Sequence, residues 1–479
     1  MKFHYKNYIV RAAVLALPLL TLATSCKKDF LEAVPELALS DANAFDNPER
    51  ILSQVNGLYA SAKAGSLFGG RYFIYNDIRA EEWINRTTNN VTGYGVYQGT
   101  QNSSDTYIGN IWNQGYLTIN RINLFLDGLE KNSDKLSPAL LANYRGEAKF
   151  LRALTYLGLV QMFAKPYVQD QGASKGLPLR LQPETSTANN QLARSSVAEV
   201  YAQILKDLNE AEADLPDNYS SAALRTTRAH KNSAIALKTR VHLVKGDYAN
   251  VILEANKIVS PEAPFVSPNR VAHQLQESVV SVFRAPYTTT ESVFSFPMAE
   301  TNAPGTQNQI GYYFSVGNLE FFLNTEAPGI YAHPQWGAED DRRTALTASH
   351  SLGKYTTKFS GVSPYIDYVP VIRYAEVLLN LAEAEAEAGS LTRARALLEA
   401  VHERSDESYD FGTLDKAGLI SAILTERRIE FLAEGFRAPD LFRRNMPLPS
   451  VGAGGDIAPT DQRYVFEIPV GETNVNSGL

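Results

Sequence analysis

Three glutamates near the C-terminus, Glu426, Glu430 and Glu434, recur every four residues. On a helix that spacing stacks the three carboxylates on one face. Clustered carboxylates shift one another's pKa and can divide acid and base roles. Like charges so placed also cost a helix about 0.2–0.5 kcal/mol per pair unless cations meet them. Arg427, Arg443 and Arg444 lie close in sequence, and Arg437 falls on the same side if the helix continues that far. Two readings follow. One is a general acid and base. The other is a structural ion-pair motif of Glu426, Arg427, Glu430, Glu434, Arg437, Asp440 and Arg443 that joins the last helices. The second is favoured, because ion-pair networks also perturb carboxylates. Ile429, Leu432 and Phe436 form a separate apolar stripe that would seat the helix.

Other catalytic patterns are weaker. "GASKG" at 172–176 satisfies G-x-S-x-G, but a nucleophile elbow needs a strand before it and a helix after it. Ser174 sits in a Gly- and Pro-rich loop that runs on as "GLPLRLQPE". The seven histidines are dispersed without H-x-x-x-H spacing or a cysteine partner, which speaks against zinc. "GYGVYQG" misses the dinucleotide-binding spacing. In "AEDDRR", 338–343, Arg342 and Arg343 are placed to neutralise Asp340 and Asp341 rather than leave them for a cation. No metal or cofactor is expected.

Cys26 is the only cysteine in 479 residues. It follows a basic start, an apolar run "AAVLALPLLTLA" and the small residues "ATS". That order describes a secretory signal over 1–25, too short for a membrane span of about 20 apolar residues. An exported protein stabilised by disulfides would carry paired cysteines. A lone one at the mature N-terminus reads as an attachment point, and the segment resembles a bacterial lipoprotein signal, whose cysteine is acylated. The alternative is an ordinary signal with an incidental cysteine. The following "KKDFLEAVPELALSDANAF" reads as a tether. The formal charge is −7 with Lys and Arg scattered, so no basic stripe points to nucleic acid.

The elements that must position these residues are mostly helical. Asn47 before Pro48, Ser137 before Pro138, and Ser196 with Glu199 are helix-start signals. Beyond Phe150 the apolar residues cover most of a helix circumference, which predicts burial on several sides. Residues 234–259 and 376–401 look like copies of one unit: a helix, a turn at Gly246 or Gly389, and a second helix. They resemble tetratricopeptide-type helix pairs. Between the helices lie aromatic-rich insertions at 66–104 and 261–345, with short strands expected in "SVFSFP" and "KYTTKF". The expected fold is mainly α: a tetratricopeptide-like scaffold with long loop-rich insertions and a few short strands. The expected regions are 26–230, with the first insertion, and 231–479, with the second.

Four stretches then carry a family resemblance: "DFLEAVPELALSDANAFDNPERILSQVNGLYA", "YRGEAKFLRALTYLGLVQMFAKPY" with "GLPL" after it, "RYAEVLLNLAEAEAEAG", and "TERRIEFLAEGFRAPDLFRR". Together they resemble the SusD/RagB family of nutrient-binding outer-membrane lipoproteins. Ala438 and Pro439 before Asp440 depart from the aromatics usual there. The resemblance implies a lipid anchor at Cys26 on the outer membrane, facing outward, and a SusC-type TonB-dependent transporter as partner. It also implies an oligosaccharide or peptide ligand and no catalysis. It supplies no ligand residues. From aromatic content in the insertions, Trp83, Tyr94, Tyr97, Tyr287, Tyr312, Tyr313 and Trp336 are expected to be exposed stacking anchors. Asn89, Asn90, Asn308 and Gln309 would be the hydrogen-bonding groups beside them. Removing Trp83 or Trp336 would then weaken binding with little loss of stability. The alternative is that these rings fill cores beneath long loops. Trp112 and Tyr116, on a helix, are expected in the core. Three functions stay open on sequence alone: a nutrient-binding module, a surface glycan hydrolase, and a protein-docking scaffold.

Cys26→Ala is expected to leave a folded but unanchored protein, read by membrane fractionation. A variant that still sediments with the outer membrane in cells lacking the transporter would refute the lipid anchor.

Overall fold

Helices begin where the capping side chains stand. Asn47 accepts a hydrogen bond from the Arg50 amide at 2.9 Å, and the helix Pro48–Ala62 follows. Ser137 caps Pro138–Phe163, and Ser196 with Glu199 closes a capping box on Val197–Asp214. The computed structural model describes residues 43–315, 318–449, 451–452 and 454–479. The signal 1–25, Cys26 and the tether as far as residue 42 lie outside the described residues. Residues 47–479 form one unit; of the unit before it, 1–46, only 43–46 are described.

From Phe150 to Phe163 every residue of Pro138–Phe163 is buried, as its all-round apolar sequence requires. The two similar helix pairs are Lys231–Val244 with Tyr248–Ala255, and Tyr374–Ala388 with Leu391–Glu403. Though far apart in the chain, they pack on each other. Leu243, Val251 and Ala384 share one apolar cluster. Asn380 donates to Thr239 at 3.1 Å, and the Tyr374 hydroxyl to the Ile258 carbonyl at 2.8 Å. The fold is mainly α, a tetratricopeptide-like scaffold. Contacts cross position 230 freely: Lys238 and Lys257 both meet Glu212. The C-terminal segment returns to the first half, where the Phe466 amide donates to the Met162 carbonyl at 2.8 Å.

Among the described residues the strands form three antiparallel pairs: Trp83–Asn85 with Phe321–Leu323, Ser292–Phe296 with Val369–Arg373, and Thr347–His350 with Gly353–Thr356. The first pair ties one insertion to the other.

The glutamate row differs from the sequence expectation. The helix Lys416–Glu430 stops at Glu430, because Ala433 (φ 67°) and Gly435 (φ 77°) take left-handed backbone. Glu434 therefore lies beyond the helix. Arg437 does not share the face; it opens a separate short helix, Arg437–Arg443, and pairs with Glu81 and Glu82. Arg427 and Arg443 both clasp Asp440. The cations that meet the row come from distant segments. Arg373 contacts Glu430 at 2.6 Å, Glu434 at 2.7 Å and Glu291 at 2.7 Å. Arg342 reaches Glu426 and Glu430, Arg404 reaches Glu430 and Glu291, and Lys358 meets Glu434 at 2.8 Å. All these side chains are nearly excluded from water. Burial raises the Glu430 carboxyl, but Arg404, Arg373 and Arg342 outweigh it and hold that group well below the usual carboxylate range. Ala438 and Pro439 are buried in the short helix that carries Asp440.

Removing Arg373 leaves three buried carboxylates without their shared cation. Arg373→Ala should lose about 3–5 kcal/mol at neutral pH, measured by chemical denaturation. Glu430 is a depressed group, and Arg373 is one of the cations that depress it, so the stabilisation it draws from Arg373 is present above the ordinary value of 4.5 and is lost progressively as pH falls below that value. The gap between wild type and variant should narrow in acid. A gap under 1 kcal/mol at neutral pH would contradict the lattice.

Candidate ligand-binding site

The two insertions meet because two glycines let them. A Cβ on Gly65 would stand 1.9 Å from the Pro304 carbonyl oxygen, and one on Gly70 would stand 1.7 Å from that of Asn308. The 304–308 turn therefore lies directly on the start of the helix Arg71–Ile78. Arg71, only 3% exposed, joins them. Its Nε donates to Asn308 Oδ1 at 2.5 Å, and its other nitrogens donate to the Tyr75 hydroxyl at 2.7 Å and the Gln307 carbonyl at 3.3 Å. Its guanidinium also lies 4.1 Å from the centre of the Tyr107 ring.

Tyr107 stands at the edge of an open cleft of about 450 Å³. Asn90, Gln101, Asn102, Ser104 and Thr106 line it as well. Local structure explains the shape. Asn89 caps a short 3-10 turn, accepting from the Val91 amide at 3.0 Å. The helix Tyr94–Gln98 is bracketed by Gly93 (φ 93°) and Gly99 (φ 65°), left-handed positions that suit glycine. The chain then crosses the cleft and enters Thr106–Lys131, where Asp105 accepts from the Tyr107 and Ile108 amides at 2.9 and 3.0 Å. The cleft thus offers amides, hydroxyls and one ring face. Asp105 is the single carboxylate among its lining residues, and it is occupied as a helix cap. Glycoside hydrolysis needs two carboxyl groups about 5–10 Å apart across the bond. This lining suits binding a neutral polyhydroxylated molecule.

Residues 29–243 match the family described as starch-binding and associating with the outer membrane, and residues 326–479 match the SusD family. A crystallised SusD superfamily protein from Bacteroides fragilis is 32% identical, with a TM-score of 0.83 over 91% of this chain and 99% of that one. The chain belongs to the SusD family. By that membership it is an outer-membrane-associated protein of a glycan-binding family. It is also similar to the SusD-like protein P38 of Formosa agariphila, 24% identical over 94% of this chain and 93% of that protein. A solved laminarin-binding SusD-like protein, 20% identical, shares the fold with a TM-score of 0.68 over 90% of this chain and 98% of that one. Among the described residues no helix is long and apolar enough to cross a membrane.

Within this SusD-family fold the expected anchors separate into two groups. Trp83 is fully buried and stacks on Phe314 at 4.1 Å. Trp336 is 2% exposed, edge-on to Tyr331 at 5.4 Å. Tyr313 packs parallel to Phe321, and Tyr97 meets that same ring edge-on. These four are core, contrary to the expectation of exposure: the loops fold back on their own aromatics. Gln309 is buried too, and donates to the Pro364 carbonyl. Tyr94, Tyr287 and Tyr312 are half-buried. Asn90 lines the cleft, whereas Asn89 and Asn308 are spent on the cap and on Arg71. Trp112 is buried and Tyr116 half-buried. Tyr107 and Arg71 were not singled out by sequence. Tyr107 follows a cap, "SSDTY", just past the insertion as drawn, and Arg71 has no pattern that reveals its partner at 308.

The other chemical candidates resolve geometrically. Ser174 donates to Asp170 and has neither a strand before it nor a helix after it, so there is no elbow. Among the described residues Asp340, His402 and Asp406 bring ligand-type atoms within 4.8 Å of one another. Arg342 donates to both Asp340 oxygens, at 3.0 and 2.6 Å, so a guanidinium already supplies positive charge there.

Trp83→Ala and Trp336→Ala should each cost about 3–5 kcal/mol in denaturant titrations, as large buried aromatics do. Tyr107→Ala should cost no more than about 2 kcal/mol, the range of a desolvated cation–π contact. Equal losses at Trp83 and Tyr107 would contradict the division between core and cleft.

Proposed function

We propose that the protein is a non-catalytic cell-surface receptor that captures an oligomeric nutrient, a neutral glycan, in the cleft beside Tyr107. The observation that carries this reading is the cleft's chemistry: amides and hydroxyls around one fixed ring, with no second carboxylate for hydrolysis. Tyr107 would stack on the apolar face of a sugar while Asn90, Asn102, Ser104 and Thr106 exchange hydrogen bonds with its hydroxyls. The similarity to a laminarin-binding SusD-like protein supports a carbohydrate over a peptide. Lipid on Cys26 holds the receptor at the outer membrane, and the bound nutrient passes to a SusC-type TonB-dependent transporter. Several acyl chains would make that anchor effectively permanent, at about 0.8 kcal/mol per buried methylene. A few stacking and hydrogen-bonding contacts in an open cleft imply a Kd of about 10⁻³ to 10⁻⁶ M.

Calorimetric titration with laminarin, starch and other neutral polysaccharides tests this, with chromatography of the same mixtures for products. Binding without turnover is expected, and Tyr107→Ala should weaken it by about 1–3 kcal/mol. Release of shorter sugars, or unchanged affinity in Tyr107→Ala, would overturn the reading.

A further inference from the structure

A second group of rings lies on the loop 361–368, which carries one member of each of two tyrosine pairs. Tyr365 stands edge-on to Tyr312, with ring centres 5.8 Å apart and planes at 89°. Tyr368 stacks on Tyr287 at 4.9 Å and 22°. All four rings are half-buried. Two of them stand on costly backbone: Tyr287 has φ 62° and Tyr365 φ 57°, left-handed values that bulky residues seldom adopt. Backbone strain of this kind persists only where the surroundings enforce it, and it gathers at binding sites.

The enforcing contacts are specific. Asp367 accepts from the Tyr287 hydroxyl at 3.0 Å and from the Gly361 amide at 3.0 Å, closing the loop on itself. Gln309 donates to the Pro364 carbonyl at 3.3 Å, which fixes Tyr365 beside Tyr312. Burial and the Asp367 carboxylate push the Tyr287 phenol up to about 12, so it keeps its proton and remains a donor. The rings are thus set before any ligand arrives, which lowers the ordering cost of binding.

The group is also tied to the cleft from beneath, through buried Arg71. Gln307 donates to the Tyr312 hydroxyl at 3.4 Å, the Gln307 carbonyl accepts from Arg71, and Arg71 lies against the Tyr107 ring. We propose that Tyr287, Tyr312, Tyr365 and Tyr368 form a second stacking platform, which takes the outer sugar units of an extended neutral glycan whose other units occupy the cleft. This rests on the carbohydrate reading of the cleft. Flat rings edged by phenol and amide groups match the alternation of apolar faces and hydroxyl rims on pyranose sugars.

The test is calorimetric titration of purified protein with short and long oligosaccharides cut from laminarin and from starch. Wild type is compared with Tyr107→Ala, with the double variant Tyr365→Ala/Tyr368→Ala, and with Tyr365→Phe/Tyr368→Phe, which keeps the rings. Thermal melts accompany each titration. The double alanine variant should bind short oligosaccharides as wild type does and long ones about tenfold more weakly, while the phenylalanine variant matches wild type at every length. If the double alanine variant binds every length as wild type does while Tyr107→Ala is weakened, the platform is overturned and the cleft stands. If it keeps full glycan affinity but loses a membrane protein that co-purifies with wild type, the loop is a protein interface and the platform is overturned. If wild type binds no neutral oligosaccharide, the cleft reading falls first and the platform with it.

Discussion

The Arg373 guanidinium is the interaction on which most of the molecule depends. It is the last residue of the strand Val369–Arg373, and the helix Tyr374–Ala388 begins at the next position. Its partners are Glu291, just before the strand Ser292–Phe296, Glu430 at the end of Lys416–Glu430, and Glu434 in the turn beyond. One side chain therefore fixes a sheet, a helix start and a helix end. Isolated at such depth, any of these charges would be prohibitive. Arg342, Arg404 and Lys358 complete the set, so each carboxylate faces at least one cation. The same arrangement engages the whole glutamate row: Glu426, Glu430 and Glu434 are buried and paired with these cations. Glu430 is held ionised far below neutrality and cannot act there as a general acid.

From that clamp the path to recognition is short. The second insertion carries Glu291, and the chain rejoins the scaffold helices at Arg373, so the stretch from 291 to 373 is pinned at both ends within one ion-pair cluster. Between those ends, its strand Phe321–Leu323 pairs with Trp83–Asn85, and its 304–308 turn presses on Gly65 and Gly70. Arg71 then locks Asn308 and Gln307 beside Tyr107. Loops held this way recognise ligands from a rigid base, as loops on helical scaffolds commonly do. The buried aromatics serve the same end. Trp83 on Phe314, and Tyr313 on Phe321, form the floor under the joined insertions.

What was legible in the sequence was local or periodic. Asn47, Ser137 and Ser196 announce helix starts because a cap bonds within its own first turn. The paired helices are legible because tetratricopeptide-type units repeat. Long-range pairing left no trace: nothing near Glu430 in sequence names Arg342, Arg373 or Arg404. The end of the glutamate helix was missed because Ala433, a good helix former, adopts φ 67° under tertiary constraint. The exposure of rings was misjudged for a similar reason. Composition says that an insertion is aromatic, whereas burial of Trp83 or Trp336 depends on a segment more than two hundred, or several, positions away folding over it. Tyr365 and Tyr368, in "GVSPYIDYVP", carried a signal in hindsight: aromatics set among Gly and Pro in a turn.

The central claim is that sugar recognition belongs to the surface where the two insertions are clamped, and not to the helical scaffold. Amide hydrogen exchange of the protein with and without saturating neutral oligosaccharide tests it most directly. The account predicts slower exchange confined to residues 90–107, extending to 361–368 with long oligosaccharides, and unchanged exchange in the helix pairs of 231–255 and 374–403. Protection centred on those helix pairs, with none at 90–107, would contradict it.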